Sequence, residues 1–313
     1  MHISIVTPCF NEEANIAPLI ASVRDVMSPI EGYEYEHIFA DNCSEDATLA
    51  ILKEFAEKDK RIKIIANAAN FGPSRSVFNA LLAADGEAVV LLAADLQDPP
   101  SCIAQFVKEW EQGYQIVFGL RADRDEGVVL RNVRRCYYRL LQALTDDNLV
   151  NDAGDFLLMD RVVINAMRQV KEYNPYIRGL VMSFGFSATG IPYTMQKRLS
   201  GKTTSTIYSY CIYALNGFIN HTLAPLRLAT ILGVVLSVCS ILFAVGQLIT
   251  RLFIGAVGPP GISTLIVGLF FLMGINFFIL GYIGEYVGAI NKQVKNMPLV
   301  IERERINFDS PKE

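Results

Sequence analysis

Basic residues are not in excess in this chain. Its 313 residues include 28 Lys and Arg against 32 Asp and Glu, a formal net charge of −4, with an isoelectric point near 5.5. A nucleic-acid partner requires a basic face that neutralises phosphates, so that class is disfavoured. Paired cysteines are missing too. Cys9, Cys43, Cys102, Cys136, Cys211 and Cys239 form no CxxC pair, which argues against zinc and a disulfide framework and for reduced thiols in a cytosolic compartment. No GxGxxG follows the first apolar run, so a dinucleotide redox fold is disfavoured, and there is no GxxxxGK[ST] phosphate loop. The start, Met-His-Ile-Ser-Ile-Val, carries neither a basic leader nor a cleavage site, and no signal peptide is expected.

What the chain does have is an uneven supply of apolar residues. They make up 51% of the sequence, with a mean hydropathy of +0.29, and the excess lies between Leu226 and Ile290. Before it, short apolar runs alternate with amphipathic stretches. Ile3–Pro8, His37–Ala40, Ile62–Ala66, Val89–Leu92 and Gln115–Gly119 read as strands. Helical spacing follows in Ala14–Met27, Ala47–Lys58, the segment from Pro73 through Ala84, and Cys102–Gln112. Asn11 is positioned to cap the first of these helices, with Glu12 and Glu13 suiting its amino end. This alternation predicts an α/β domain, a doubly wound parallel sheet with right-handed crossovers.

Three of the strands run into acidic loops: Asn11-Glu12-Glu13, Asp41 to Asp46, and Asp95-Leu96-Gln97-Asp98-Pro99-Pro100. Open α/β sheets bind ligands at the carboxyl edge of their strands. A carboxylate and an amide oxygen two residues apart, Asp95 and Gln97, are hard ligands suited to Mg²⁺ or Mn²⁺ holding a phosphate. A solvated turn after a buried strand is the simpler reading of the same residues, and convergence of three such loops favours the ligand.

Those three loops, each with the strand that precedes it (Val6-Thr-Pro-Cys-Phe-Asn-Glu-Glu13, Asp41-Asn-Cys-Ser-Glu-Asp46 and Ala94-Asp-Leu-Gln-Asp-Pro-Pro100), resemble the signatures of family-two glycosyltransferases. Within that group the chain resembles the polyprenyl-phosphate glycosyltransferases related to dolichol-phosphate mannose synthase. The resemblance implies a GT-A nucleotide-sugar fold, Rossmann-like and mostly parallel. It implies that Pro8, Phe10, Glu12 and Asp41 bind the nucleoside of a UDP- or GDP-sugar, together with Asp95 and Gln97. It also makes Asp95 and Gln97 the ligands of Mg²⁺ or Mn²⁺, with Asp95 a catalytic residue. In Asn151-Asp152-Ala153-Gly154-Asp155-Phe156, read as a glycine-bearing loop before a helix near Asp160, Asp155 would face the reaction centre as a base or as an orienting group. The chain departs from the family pattern in three places. Ala93 stands where Asp-Ala-Asp is usual, Gly72-Pro73 replaces a glycine-lysine pair, and Leu157 stands where arginine is frequent.

Arg121, Arg124, Arg131, Arg134, Arg135 and Arg139 are interleaved with apolar and tyrosine residues, as in a helix lying in a membrane interface. Arg121, Arg131 and Arg134 are expected on a lipid phosphate. Arg198 and Lys202, in the basic loop Gln196–Thr204, join them as a guanidinium fork and a point charge. Leu228–Thr250 and Val257–Gly284 contain no charged residue, and each is long enough to cross a ~30 Å hydrocarbon core as a helix. Gly258-Pro-Pro-Gly261 between them predicts a hairpin. Arg227, Lys292 and Lys295 at its outer ends place both termini and the catalytic domain in the cytoplasm of a bacterial inner membrane. Small residues along the second span suggest homo-oligomers.

The expected organisation is a catalytic domain over 1–203 with an interfacial helix at 127–146, a second interfacial helix over 204–225, transmembrane helices at 228–251 and 261–284 within 226–291, and a tail over 292–313. The expected activity is transfer of a sugar from a nucleotide-sugar donor to a polyprenyl phosphate in the bilayer, with inversion. The alternatives are a glycan acceptor, or a catalytically weak scaffold in a polysaccharide assembly complex.

Overall fold

The computed structural model describes residues 1–30, 32–123, 153–196, 261–295 and 297–308, with scattered positions between 231 and 253. Two compact units emerge. One comprises Met1–Tyr138, Asp147–Thr204 and Asn296–Glu313, the other Arg139–Asp146 and Ser205–Lys295.

The first unit is built on strands β1 (His2–Cys9), β2 (Glu34–Asp41), β3 (Ile62–Asn67), β4 (Ala88–Leu91), β5 (Ile116–Asp123), β6 (Ala153–Asp160), β7 (Ala188–Thr194) and β8 (Glu302–Ile306). They form one sheet in the order β7-β5-β6-β4-β1-β2-β3-β8. β1 pairs in parallel with β2 and β4, and β2 with β3. β6 runs antiparallel to both β4 and β5, so β5 points the same way as β4. The five strands expected from the sequence are therefore mutually parallel, and three are added: β7, parallel to β5, and two antiparallel strands. One is β6, which replaces most of the loop expected at Asn151–Phe156. The other is β8, which pairs antiparallel with β3.

Helices α1 (Glu13–Met27), α2 (Thr48–Lys58) and α4 (Ile103–Glu111) pack on one face, and α3 (Pro73–Ala83), α5 (Arg161–Met167) and α6 (Ile177–Ser183) on the other. The central strands are apolar on both sides because both sides are covered. Ile3, Ile5 and Val90 pack with Leu19, Leu52 and Phe106. Val6, Ile38 and Val89 pack with Phe78, Leu81 and Ile164. Each such fully buried side chain contributes about 1.5–3 kcal/mol. Leu157 belongs to this second cluster and is buried. Asn11 does not cap α1: the residue before the helix is Glu12, and no side chain caps it. Asp160 does cap α5, its side chain accepting from Val162 N.

β8 is held to the edge of the sheet by side chains as well as backbone. Lys53 Nζ lies 2.6 Å from Glu304 Oε1. Asn79 Nδ2 donates to Glu302, and Asn307 Nδ2 donates to the carbonyls of Ala56 and Ile62. Among the cysteines, Cys9 and Cys102 are buried free thiols, Cys43 is half-buried and Cys239 is exposed.

In the second unit, α7 (Ile262–Val294) runs for 33 residues. Its window Phe271–Gly288 has a mean hydropathy of 1.4 and is not buried, and Phe271, Phe277 and Leu280 are exposed. Among the described residues it is the one helix long and apolar enough to cross a membrane. The other expected span falls on residues of which only scattered positions are described. Those positions are helical, with Ile231, Leu242 and Phe253 exposed. The two interfacial helices lie outside the described residues.

Two buried polar groups in β2 make the fold sensitive to acid. Glu36 accepts from Ser4 Oγ and the Asp85 amide and pairs with Lys63. Burial pushes its carboxyl up, but Lys63, Ser4 and the amide outweigh burial and hold it below the usual range. His37 is stacked on Phe39 and bonded to Thr7 Oγ1, and burial pushes its imidazole down to about 3. The unfolded chain therefore binds a proton at His37 that the native state refuses. That contribution is complete above about pH 6.5 and is lost as pH falls toward the folded value, at about 1.4 kcal/mol per unit. Glu36 adds a second loss only below about pH 4.3. The melting temperature is expected to fall between about pH 6.5 and 5, and His37→Gln, which keeps a partner for Thr7 without titrating, to flatten that slope. A Tm series against pH checks this.

Candidate active site at the carboxyl edge of the sheet

The loops that follow β1, β2, β3 and β4 open at one edge of the sheet, and hydrogen bonds lace the first three together. Asn11 N donates to Ser44 Oγ (3.0 Å) and Asn11 Oδ1 accepts from Glu45 N (2.8 Å). Glu12 N donates to Thr48 Oγ1, Glu13 N to Asp46 Oδ2, and Ala47 N to Glu13 Oε2. Burial opposes it, yet the bonds from Thr48 and from backbone amides hold Asp46 below the usual carboxylate range. One residue on from Asp41, Asn42 extends the lacing to the third loop. Its Oδ1 accepts from Asn67 Nδ2 (3.2 Å) and Phe71 N (3.0 Å), and its Nδ2 donates to Asn70 Oδ1 (2.8 Å).

The backbone at this edge is unusual. Asn11, Cys43 and Leu96 have φ of 56°, 64° and 57°, the left-handed region that side chains disfavour, at a cost of about 1–3 kcal/mol each. Asparagine tolerates it; a leucine there is a true outlier. Leu96 holds the conformation because its side chain is buried in the core of the first unit. The turn around it is closed by Gln97 N donating to Asp95 Oδ1 (3.2 Å) and by Gln97 O accepting from Gln196 N (2.9 Å). Asp95 and Gln97 are half-buried.

Asp98 ends the turn and is buried. Tyr193, on β7, donates its hydroxyl to Asp98 Oδ1. Arg121, on β5, donates from Nε to the Tyr193 oxygen (3.2 Å) and places Nη2 3.6 Å from Asp98 Oδ1. Burial, first, and the charges of Asp95 and Asp155 push the Asp98 carboxyl up, while Tyr193 and Arg121 oppose them. Burial and the bond to Asp98 push the Tyr193 hydroxyl up, so it stays protonated and donates.

The expected residues therefore divide. Pro8 is half-buried, Phe10 is exposed and Glu12 is half-buried at the end of β1. Asp41 is fully buried, with Ser44 N 3.3 Å from each carboxylate oxygen. Asp155 is exposed on β6. Arg121 belongs to strand β5 and not to the start of a basic helix. Arg131, Arg134, Arg198 and Lys202 lie outside the described residues. The departure at Gly72-Pro73 is a helix start, with Gly72 at φ 85° and Pro73 in the first turn of α3. Asn42 and Tyr193 are the additions the structure makes to the site, and Asp98, within the loop singled out from the sequence, proves to be buried.

These donors suit a divalent cation held chiefly by a ligand's phosphates. Mg²⁺ commonly takes one or two protein carboxylates beside phosphate oxygens, and Asp95 would supply one. Asp98 is already engaged by Tyr193 and Arg121, and Ala93 offers nothing. Among the described residues no trio of His, Cys, Asp or Glu converges on a metal.

Loss of the Asn42 amide would unlace the loops after β2 and β3 and remove one of the bonds made by the buried Asn67. Asn42→Ala is expected to cost about 1–3 kcal/mol of stability and to weaken nucleotide binding, measured by thermal unfolding and by calorimetry with UDP and GDP.

Residues 4–168 match the family Glycosyl transferase family 2. The chain is 35% identical over 308 residues to the uncharacterized glycosyltransferase YkcC of Bacillus subtilis, covering 98% of this chain and 95% of that protein. It is 31% identical over 303 residues to the SfII prophage-derived bactoprenol glucosyl transferase of Shigella flexneri, covering 96% and 97%. Among solved structures, the mannosyltransferase PcManGT from Pyrobaculum calidifontis, in complex with GDP-Man and Mn²⁺, matches with a TM-score of 0.48 at 16% identity, covering 94% of this chain and 86% of that one. With a family match across more than half its length and a 35% identical relative aligned almost end to end, the chain belongs to glycosyl transferase family 2 and is a glycosyltransferase.

Proposed function

We propose that the protein moves a sugar from a nucleoside-diphosphate sugar to a polyprenyl phosphate at the cytoplasmic face of a membrane. The observation that carries this reading is the Asp95–Asp98 turn, held at the carboxyl edge beside Asp155, in a chain that also contains the exposed apolar helix α7. The bactoprenol glucosyl transferase name of a full-length relative supports the acceptor. The apolar runs at 228–251 and 261–284 would anchor the enzyme as a hairpin, both termini cytoplasmic.

In the proposed reaction an oxygen of the lipid phosphate attacks the anomeric carbon. The carbon–oxygen bond to the donor diphosphate breaks, its electrons leave with the nucleoside diphosphate, and the configuration inverts. Pro8, Phe10, Glu12 and Asp41 border the nucleoside, and Asp95 with Gln97 borders the diphosphate. A bound Mg²⁺ or Mn²⁺ would supply neutralisation of the charge gathering on the leaving group. Asp155 orients sugar and acceptor; a phosphate is ionised near neutral pH and needs no strong base. Arg131, Arg134, Arg198 and Lys202 would hold the acceptor phosphate, where prepositioning gains most.

Incubating membranes with a panel of labelled UDP- and GDP-sugars and extracting lipid phosphates tests the reading. A labelled polyprenyl-phosphate sugar is expected with one donor; an unlabelled lipid extract from folded protein with metal present would refute it in favour of a glycan acceptor or a scaffold. Asp95→Asn is expected to lower kcat/KM on the order of 100-fold and to remove the Mn²⁺ dependence of donor binding. Unchanged metal-dependent calorimetry would refute the role given to Asp95.

A further inference from the structure

Tyr193 sits in a socket made for it by two glycines on different strands. A Cβ on Gly119, in β5, would lie 2.5 Å from Tyr193 Cε1. A Cβ on Gly154, in β6, would lie 3.3 Å from both the Tyr193 oxygen and Arg121 Nε. Phe156 meets the ring edge-on at 5.9 Å and itself packs on Phe106 at 4.6 Å. The ring is part of the core, 6% exposed, and a phenylalanine would fill the same space. The hydroxyl has a different destination. It reaches the buried Asp98 carboxylate at the end of the left-handed turn that presents Asp95, and Arg121 braces both.

The charges of Asp95 and Asp155 work against the buried Asp98 carboxylate, and the turn carries the strain of Leu96. Without an anchor at Asp98 both effects favour relaxation of the turn away from the edge. Gly154 also precedes Asp155, so one cluster touches the strand that carries Asp155 as well as the turn that carries Asp95.

We propose that Tyr193, braced by Arg121, is a positioning residue that fixes the Asp95 turn for metal–diphosphate binding by anchoring Asp98. The proposal rests on the role given to Asp95 above. Its consequence is specific: loss of the hydroxyl weakens the cation's hold while leaving the nucleoside subsite and the core intact.

The test is Mn²⁺ binding to the full-length, detergent-solubilised protein, read by electron paramagnetic resonance of free Mn²⁺ with UDP or with GDP. Nucleotide affinity in EDTA and far-UV circular dichroism are measured in parallel. For Tyr193→Phe, Mn²⁺ affinity is expected to fall about tenfold, a hydrogen bond to a charged group being worth about 1.5–3 kcal/mol, while metal-free nucleotide affinity stays within about twofold. Mn²⁺ affinity within twofold of the parent, or equal loss of nucleotide binding with and without metal, overturns the proposal. Asp98→Asn, which removes the charge that Arg121 faces, carries the same expectation should Tyr193→Phe not fold. Unchanged Mn²⁺ binding in Asp95→Asn would instead overturn the metal assignment, and the proposal with it. Unchanged binding in Tyr193→Phe beside a loss in Asp95→Asn overturns the positioning role alone.

Discussion

The site depends on one awkward piece of backbone, the left-handed turn at Leu96 by which the chain leaves the central strand β4. A strand buried on both faces delivers its last residues to the sheet edge with little freedom. The chain turns just after Asp95, within a few residues of the end of β4, and does so with a leucine where glycine would be easier. The leucine's burial in the core holds the turn. Apolar packing thus sets where Asp95 stands, and the charged residues around it act on a geometry already chosen.

The charges at this edge are arranged unequally. Asp98 lies inside, tied to Tyr193 and Arg121, while Asp155 is open to solvent. Ala93 removes the carboxylate that the family pattern places two residues before Asp95, which lowers the negative charge the turn presents to a diphosphate. On the proposed reading, the same change leaves Asp95 as the one carboxylate, beside the Gln97 amide, that would meet a cation from the turn. A site with a single such ligand tolerates less error in its position than one with two. That raises the value of the bonds that hold Gln97 and Asp98.

Much of this was legible in the sequence, for identifiable reasons. The first five strands announce themselves as apolar runs, four of them running into the acidic or asparagine-bearing loops after Cys9, Asp41, Asn67 and Leu91, because strands covered on both faces have no polar side to disguise them. β6 was hidden by Gly154 and Asp155, turn-forming residues that here serve close packing and the site. β8 was hidden by its alternation of Glu and Arg, the composition of a protected edge strand. Asn11 looked like a helix cap; its side chain is spent on Glu45, a partner 34 residues away. Asp95, Gln97 and Asp155 belong to short contiguous motifs and could be named from them. Tyr193 could not, since its partners lie 72 and 95 residues away. Its one trace in the sequence is a pair of glycines inside two other strands, a sign of close approach.

The pairing of β8 with β3 ties the last described residues to a strand formed near the start of the chain. During synthesis β3 therefore has an open edge until about 240 further residues, α7 among them, have left the ribosome. The sheet that carries the sugar chemistry is sealed only after the apolar helix has been made. An open edge next to apolar strands invites pairing with other chains, so the final residues serve as the closing seam of a domain that is otherwise assembled early.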